Sequence, residues 1–184
     1  MTKILEIASH ISLNRPDIYQ WCYTNGIDAN TENLVKLESA GIKELRFDLA
    51  ATNFNEKVVE NLRNACGIFE RVTVEIPSMQ ETRDKLIKDG YLDRLVEYGV
   101  KQLNLAELEL VQPINWETYA KDKTIYAYDS MGDIIVSPVE SRFMTYEIIG
   151  YALDNKLNIL INDCSLQAKE VQTIKRKLNG LYRI

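Results

Sequence analysis

The stretch Ile18-Tyr19-Gln20-Trp21-Cys22-Tyr23-Thr24-Asn25-Gly26 decides the fold. Apolar and aromatic residues run through 18–23, stop at Thr24-Asn25-Gly26, and give way to a helical pattern. That is a strand–turn–helix joint. The chain repeats it at Leu45-Arg46-Phe47-Asp48-Leu49, Val72-Thr73-Val74-Glu75-Ile76-Pro77 and Gln102-Leu103-Asn104-Leu105. Each run carries or ends in a polar group and is followed by helix or loop. In α/β folds with parallel strands, ligands sit at the carboxyl ends of the strands. Thr24, Asn25, Asp48, Glu75 and Asn104 therefore line one rim.

Helical spacing connects these joints. Ile4, Ile7, Ala8 and Ile11 predict an amphipathic helix over 3–13. Asn30 or Thr31 can cap a helix whose Leu34, Leu37 and Ala40 share a face before Gly41. A helix from about residue 55 buries Val58, Val59, Leu62 and Ala65, and 79–98 is helical with a break at Gly90. Strands are expected over 18–23, 44–49, 71–76, 101–105 and 157–161, and the first four start at the spacing of βα units.

After Pro113 that rhythm lapses. Residues 124–128 and 133–136, around Met131-Gly132, predict a hairpin. Ser137-Pro138-Val139-Glu140 then predicts a helix start, with a capping hydroxyl, Pro at the first helical position and a carboxylate three residues after the cap. A closed barrel uses about eight strands and about 250 residues. The expectation is therefore one α/β domain over 1–184: a partial, TIM-barrel-like (β/α) barrel of about five mostly parallel strands with helices outside.

Composition narrows the function. A formal charge of -5 argues against a general nucleic-acid surface, which needs Lys and Arg in excess. The cluster Lys169, Lys175, Arg176 and Lys177 reads as a solvated helix face. No stretch approaches the ~18 consecutive apolar residues of a membrane span. Glu6, Ser9 and His10 interrupt what a signal peptide would need as an apolar core. Cys22, Cys66 and Cys164 are an odd number at wide, irregular separations, which fits a reducing cytoplasm rather than a disulfide framework.

The side-chain chemistry is dominated by carboxylates. His10 is the only histidine and lies on a helix, so a His-centred triad or zinc site is not expected. The glycines are single turn residues and make no phosphate loop. Arg46 and Asp48 alternate along one run and so share a face, as a salt bridge or as ligand contacts. Glu75 lies one residue before Ile76-Pro77, deep in an apolar run, where ligand contact and structural pairing both remain open. Glu107 and Glu109 read as simple alternation at a strand end. Cys164, with no base near it in sequence, reads as a packed thiol.

Taken in order, several segments resemble the later part of a radical S-adenosylmethionine enzyme, of the pyruvate-formate-lyase-activating-enzyme-like iron–sulfur oxidoreductase kind. They are Tyr23-Thr24-Asn25-Gly26; 37–48 with Arg46-Phe47-Asp48; Val72 to Pro77; Leu103-Asn104-Leu105-Ala106-Glu107; Ser137-Pro138-Val139-Glu140-Ser141; Tyr151 to Asn155; and Ile161-Asn162-Asp163-Cys164-Ser165. The resemblance implies a partial (β/α) barrel and places Thr24, Asn25, Arg46, Asp48, Glu75 and Asn104 around S-adenosylmethionine and substrate. The family's cluster motif, C-x3-C-x2-C, and its Gly-Gly-Glu-Pro-like segment have no counterpart in this sequence. The resemblance therefore implies a chain that cannot perform radical chemistry alone. A [4Fe-4S] cluster would have to come from a missing N-terminal segment or a partner chain. The rival expectations are a stand-alone, cluster-free domain that binds a small molecule or partner, and an aldolase-like enzyme using Asp48 and Glu75 as acid and base.

Overall fold

The joints form strands of a single parallel sheet in a computed structural model that describes residues 2–130 and 133–181. In chain order the elements begin with α1 (Thr2–Asn14), β1 (Trp21–Thr24), α2 (Thr31–Ser39), β2 (Glu44–Phe47), α3 (Glu56–Cys66) and β3 (Arg71–Pro77). They continue with α4 (Gln80–Arg83), a wide turn over Asp84–Lys88, α5 (Tyr91–Tyr98) and β4 (Gln102–Ala106). The later part is α6 (Trp116–Tyr119), β5 (Ile125–Ser130), β6 (Asp133–Pro138), α7 (Val139–Asp154), β7 (Leu160–Cys164) and α8 (Leu166–Leu181). The result is an α/β fold with a five-stranded parallel sheet in the order β1-β2-β3-β4-β7, and a separate antiparallel β5-β6 ribbon.

The strand order never reverses. Right-handed crossovers that always step in one direction lay their helices on one face of the sheet. That face is the core. Leu45 and Phe47 of β2, Val72, Val74 and Ile76 of β3, and Leu103 and Leu105 of β4 are buried there. They form one cluster with Leu34, Leu37, Val58, Leu62, Leu92, Leu95 and Ile148 from the helices. Burying each such side chain stabilises the fold by about 1.5–3 kcal/mol.

Local signals set most of the joints. Asn30 caps α2, its side chain accepting from Asn33 N at 3.0 Å, and Asn55 caps α3 by accepting from Lys57 N at 3.0 Å. Gly26 turns the chain after β1 at φ 77°, where a Cβ would meet Val58 Cγ1 at 2.6 Å. Asn61 Nδ2 then donates to Gly26 O at 2.9 Å and pins the turn to α3. On α1 only Ala8 is buried, while Ile4, Ile7 and Leu13 stay exposed.

Several boundaries differ from the sequence reading, beginning with the expected 18–23 strand, which is Trp21–Thr24. The expected 44–49 strand ends at Phe47, because Leu49 to Asn53 closes into a tight turn in which Asn53 N donates to Ala50 O. The last strand is Leu160–Cys164 and not 157–161, because its register pairs Leu160 with Gln102 and Cys164 with Ala106. Ser137 does not cap α7. The β5-β6 ladder continues through Ser137 and Pro138, paired with Tyr126 and Ile125, and Pro138 stands before the helix with no side-chain cap. The expected turn at Met131-Gly132 lies outside the described residues, as do the side chains of Arg176 and Lys177. No helix among the described residues is long and apolar enough to cross a membrane.

Candidate functional site

The sheet face opposite the helices carries polar side chains. Strand alternation puts every second residue there, and parallel register aligns them in rows. One row is Tyr23, Arg46, Thr73 and Gln102; a second is Glu75, Asn104 and Asn162. Trp21 and Glu44 precede the first row by two residues.

These rows form one connected network. Arg46 Nε donates to Glu44 Oε1 at 2.7 Å, and Thr73 Oγ1 donates to the same oxygen at 2.9 Å. Glu44 is 3% exposed, and these two donors replace the water its side chain has lost. The Arg46 guanidinium lies 4.0 Å from the centroid of the Trp21 ring and 3.7 Å from Glu75 Oε2. Glu75 Oε2 accepts from Tyr23 Oη at 2.8 Å and from Asn104 Nδ2 at 3.0 Å. Gln102 Nε2 in turn donates to Asn104 Oδ1 at 2.6 Å.

Burial works against the Arg46 charge, but the Tyr23 hydroxyl and the Glu44 carboxylate outweigh it and hold its pKa above the usual range. Burial, reinforced by the Glu75 carboxylate, likewise raises Tyr23. Part of the network remains open. The guanidinium bonds Glu44 through Nε and also meets the Tyr23 hydroxyl, while Glu75 Oε1 accepts no hydrogen bond among the described residues. An anion can approach Arg46, a cation can approach Glu75, and the half-exposed rings of Trp21 and Tyr23 flank both.

The structure thus brings together Arg46, Glu75 and Asn104. It sets the other three candidates into turns. Thr24 Oγ1 accepts from Gly26 N at 2.9 Å, Asn25 Oδ1 from Ile27 N at 3.2 Å, and Asp48 Oδ1 from Ala51 N at 3.1 Å. Asp48 lies beyond the end of β2 and makes no ion pair with Arg46. Sequence reasoning missed Trp21, Tyr23, Glu44 and Thr73. Their signal was parity, since each sits an even number of residues from a polar neighbour on its own or the adjoining strand.

Several of the remaining candidates have structural partners. Glu107 directly follows the end of β4, its N donating to Cys164 O at 3.3 Å, but its side chain is buried, where Oε2 accepts from Leu166 N at 2.9 Å and Oε1 from Tyr126 Oη. It joins the start of α8 to the ribbon. Arg142 grips Asp163 through two bonds of 2.6 and 2.9 Å, which holds that carboxyl below the usual carboxylate range. Asn162 Nδ2 donates to Cys164 Sγ at 3.1 Å. His10 is exposed on α1.

The thiols do not fit an iron–sulfur cluster. Cys22, Cys66 and Cys164 stand on β1, α3 and β7, all free. Burial pushes all three up, Cys66 to about 11, away from the thiolate that iron requires. Among the described residues no group of three or more His, Cys, Asp or Glu side chains could hold a metal ion.

No protein-family model matches the chain, and no curated protein matches its sequence.

Proposed function

We propose that the chain is the later part of a radical S-adenosylmethionine barrel, offering its polar sheet face to S-adenosylmethionine and substrate and inactive by itself. The observation that carries this reading is the Arg46–Glu75 pair, which keeps one cationic and one anionic group open side by side on an uncovered face. Glu75 would hold a cationic group of the cofactor, Arg46 its carboxylate, and the rings of Trp21 and Tyr23 its adenine. Asn104 would fix the Glu75 carboxylate for that contact. The unreversed strand order also suits a barrel segment, because a doubly wound sheet has helices on both faces. S-adenosylmethionine supplies radical chemistry only beside a reducing iron–sulfur cluster, and the thiols of this chain do not fit one.

Equilibrium dialysis of the chain against S-adenosylmethionine tests the reading, together with anaerobic reconstitution with iron and sulfide. The expected result is saturable binding of the nucleoside without stoichiometric cluster absorbance. A full cluster on this chain, or no retention of S-adenosylmethionine, would overturn it.

A second reading, a cluster-free domain that binds a partner, is favoured by one observation. Ile4, Ile7 and Ile11 of α1, with Ile18 and Trp21, line an apolar groove beside the unpaired edge of β1. Such a surface invites a further strand or a second chain. Light scattering after size exclusion separates the two: a monomer at all concentrations counts against the partner.

A further inference from the structure

The start of α8 is anchored to the body of the protein. Leu166 is buried and its N donates to Glu107 Oε2 at 2.9 Å, while Glu170 accepts from the Tyr128 hydroxyl of the ribbon. Beyond that anchor the helix carries an apolar stripe that faces solvent. Val171, Ile174 and Leu178, spaced by three and four residues and so on one side of the helix, are 44%, 41% and 47% exposed.

Charge sets the same segment apart. Residues 166–184 include five basic residues, Lys169, Lys175, Arg176, Lys177 and Arg183, and one acidic residue, Glu170, which the ribbon already holds. The whole chain has a formal charge of -5, so this segment is positive on an otherwise acidic molecule. Lys175 lies about 40° round the helix from Val171, and Lys169 lies across it. Both are exposed. A helix is about 10–12 Å across and charges act over about 10 Å at 0.1 M salt, so both ammonium groups act on any surface that the stripe touches.

A purely apolar partner would make no use of this charge, and a polyanion would make no use of the stripe. An anionic bilayer surface uses both, because apolar side chains sink below the headgroups while basic ones meet the lipid anions. No helix among the described residues is long and apolar enough to cross a membrane, so α8 would lie on the surface.

We propose that α8 docks on an anionic lipid surface, with Val171, Ile174 and Leu178 entering between the headgroups and the basic residues of 166–184 drawing the helix to lipid anions. The site is independent of the radical S-adenosylmethionine reading, because it shares no residue with the Tyr23–Arg46–Glu75–Asn104 network.

Co-sedimentation of the full chain with vesicles tests it, using phosphatidylcholine alone and phosphatidylcholine with about 30% phosphatidylserine. Binding to the phosphatidylserine vesicles should be about tenfold tighter or more, and raising salt to about 0.5 M should remove most of that gain. Lys169→Gln combined with Lys175→Gln should weaken binding about tenfold. Ile174→Ser should weaken it about threefold or more, with far-UV circular dichroism checking that the fold is kept. The lysine variant alters two exposed side chains and keeps the test decisive even where Ile174→Ser lowers stability. Equal binding to both vesicles, unaltered binding in the lysine variant, or no sedimentation at about 1 mM lipid would each overturn the proposal. Tighter binding to a short DNA duplex than to the vesicles would make nucleic acid the occupant and also overturn it. A dimer in light scattering that Ile174→Ser abolishes, without vesicle binding, would place a second copy on the stripe and overturn it likewise.

Discussion

Tyr23 Oη reaches across β2 to donate to Glu75 Oε2 on β3 at 2.8 Å, passing the Arg46 side chain that stands between them. Strands neighbour at about 4.8 Å, so this bond spans two intervals and ties an edge strand to the middle of the sheet. Tyr23→Phe deletes the bond and should cost about 0.5–1.5 kcal/mol in urea unfolding. Combined with Glu75→Gln, the loss should be less than additive, because both substitutions weaken the same contact.

The α1–sheet junction rests on the space at Gly41. Its φ is 102°, and a Cβ there would lie 1.8 Å from Ser12 Oγ. Ser12 donates to Ala40 O at 3.1 Å and accepts from the buried Gln20 Nε2 at 2.7 Å. Gly41→Ala should therefore break both bonds and strain the backbone, costing about 1–3 kcal/mol in denaturant unfolding.

Glu56 gives a pH signature. Arg94, at 2.8 and 3.1 Å, and the Tyr91 hydroxyl, at 2.6 Å, hold its carboxyl down to about 2. A depressed carboxyl pKa stabilises the fold fully above the ordinary Glu value of about 4.3, and the benefit fades as pH falls toward the folded value. The side chain is 66% exposed, so the effect is below about 1 kcal/mol. Unfolding midpoints between pH 6 and about 2 should fall more steeply in the native chain than in Glu56→Gln.

Thiol labelling reports the interior. Cys66, pushed up to about 11, should react with iodoacetamide at pH 8 about a hundredfold more slowly in the folded chain than in urea. Mass spectrometry of labelled peptides reads this directly, and comparable rates in the two states would contradict the burial of Cys66.

The parts of this fold legible in the sequence are those with local causes. The cap at Asn30, the helix start near residue 55, the turn at Gly26 and the apolar runs of β1 to β4 depend on residues within one turn of each other. The missed features depend on distant pairing. β7 is misplaced because Asn162 and Asp163 are polar residues inside a strand, recruited by register with β4. Ser137 carries a helix-start signal, but two further rungs against Tyr126 and Ile125 hold it in β6. Tyr23 and Trp21 look like core residues until alternation places them on the face that carries Arg46 and Glu75. Arg46, Glu75 and Asn104 were legible because charge and amide groups inside apolar runs need a partner. Thr24, Asn25 and Asp48 were read as a rim, although short polar side chains at strand ends also serve to close turns.

Calorimetric titration of S-adenosylmethionine into the native chain and into Glu75→Gln tests the central claim most directly. Glu75 is partly exposed and lies outside the helix-covered core, so the variant should keep its thermal midpoint to within a few degrees. The account predicts saturable binding to the native chain and a loss of about tenfold or more in the variant. Equal affinity in the two, or no binding to the native chain, would contradict it.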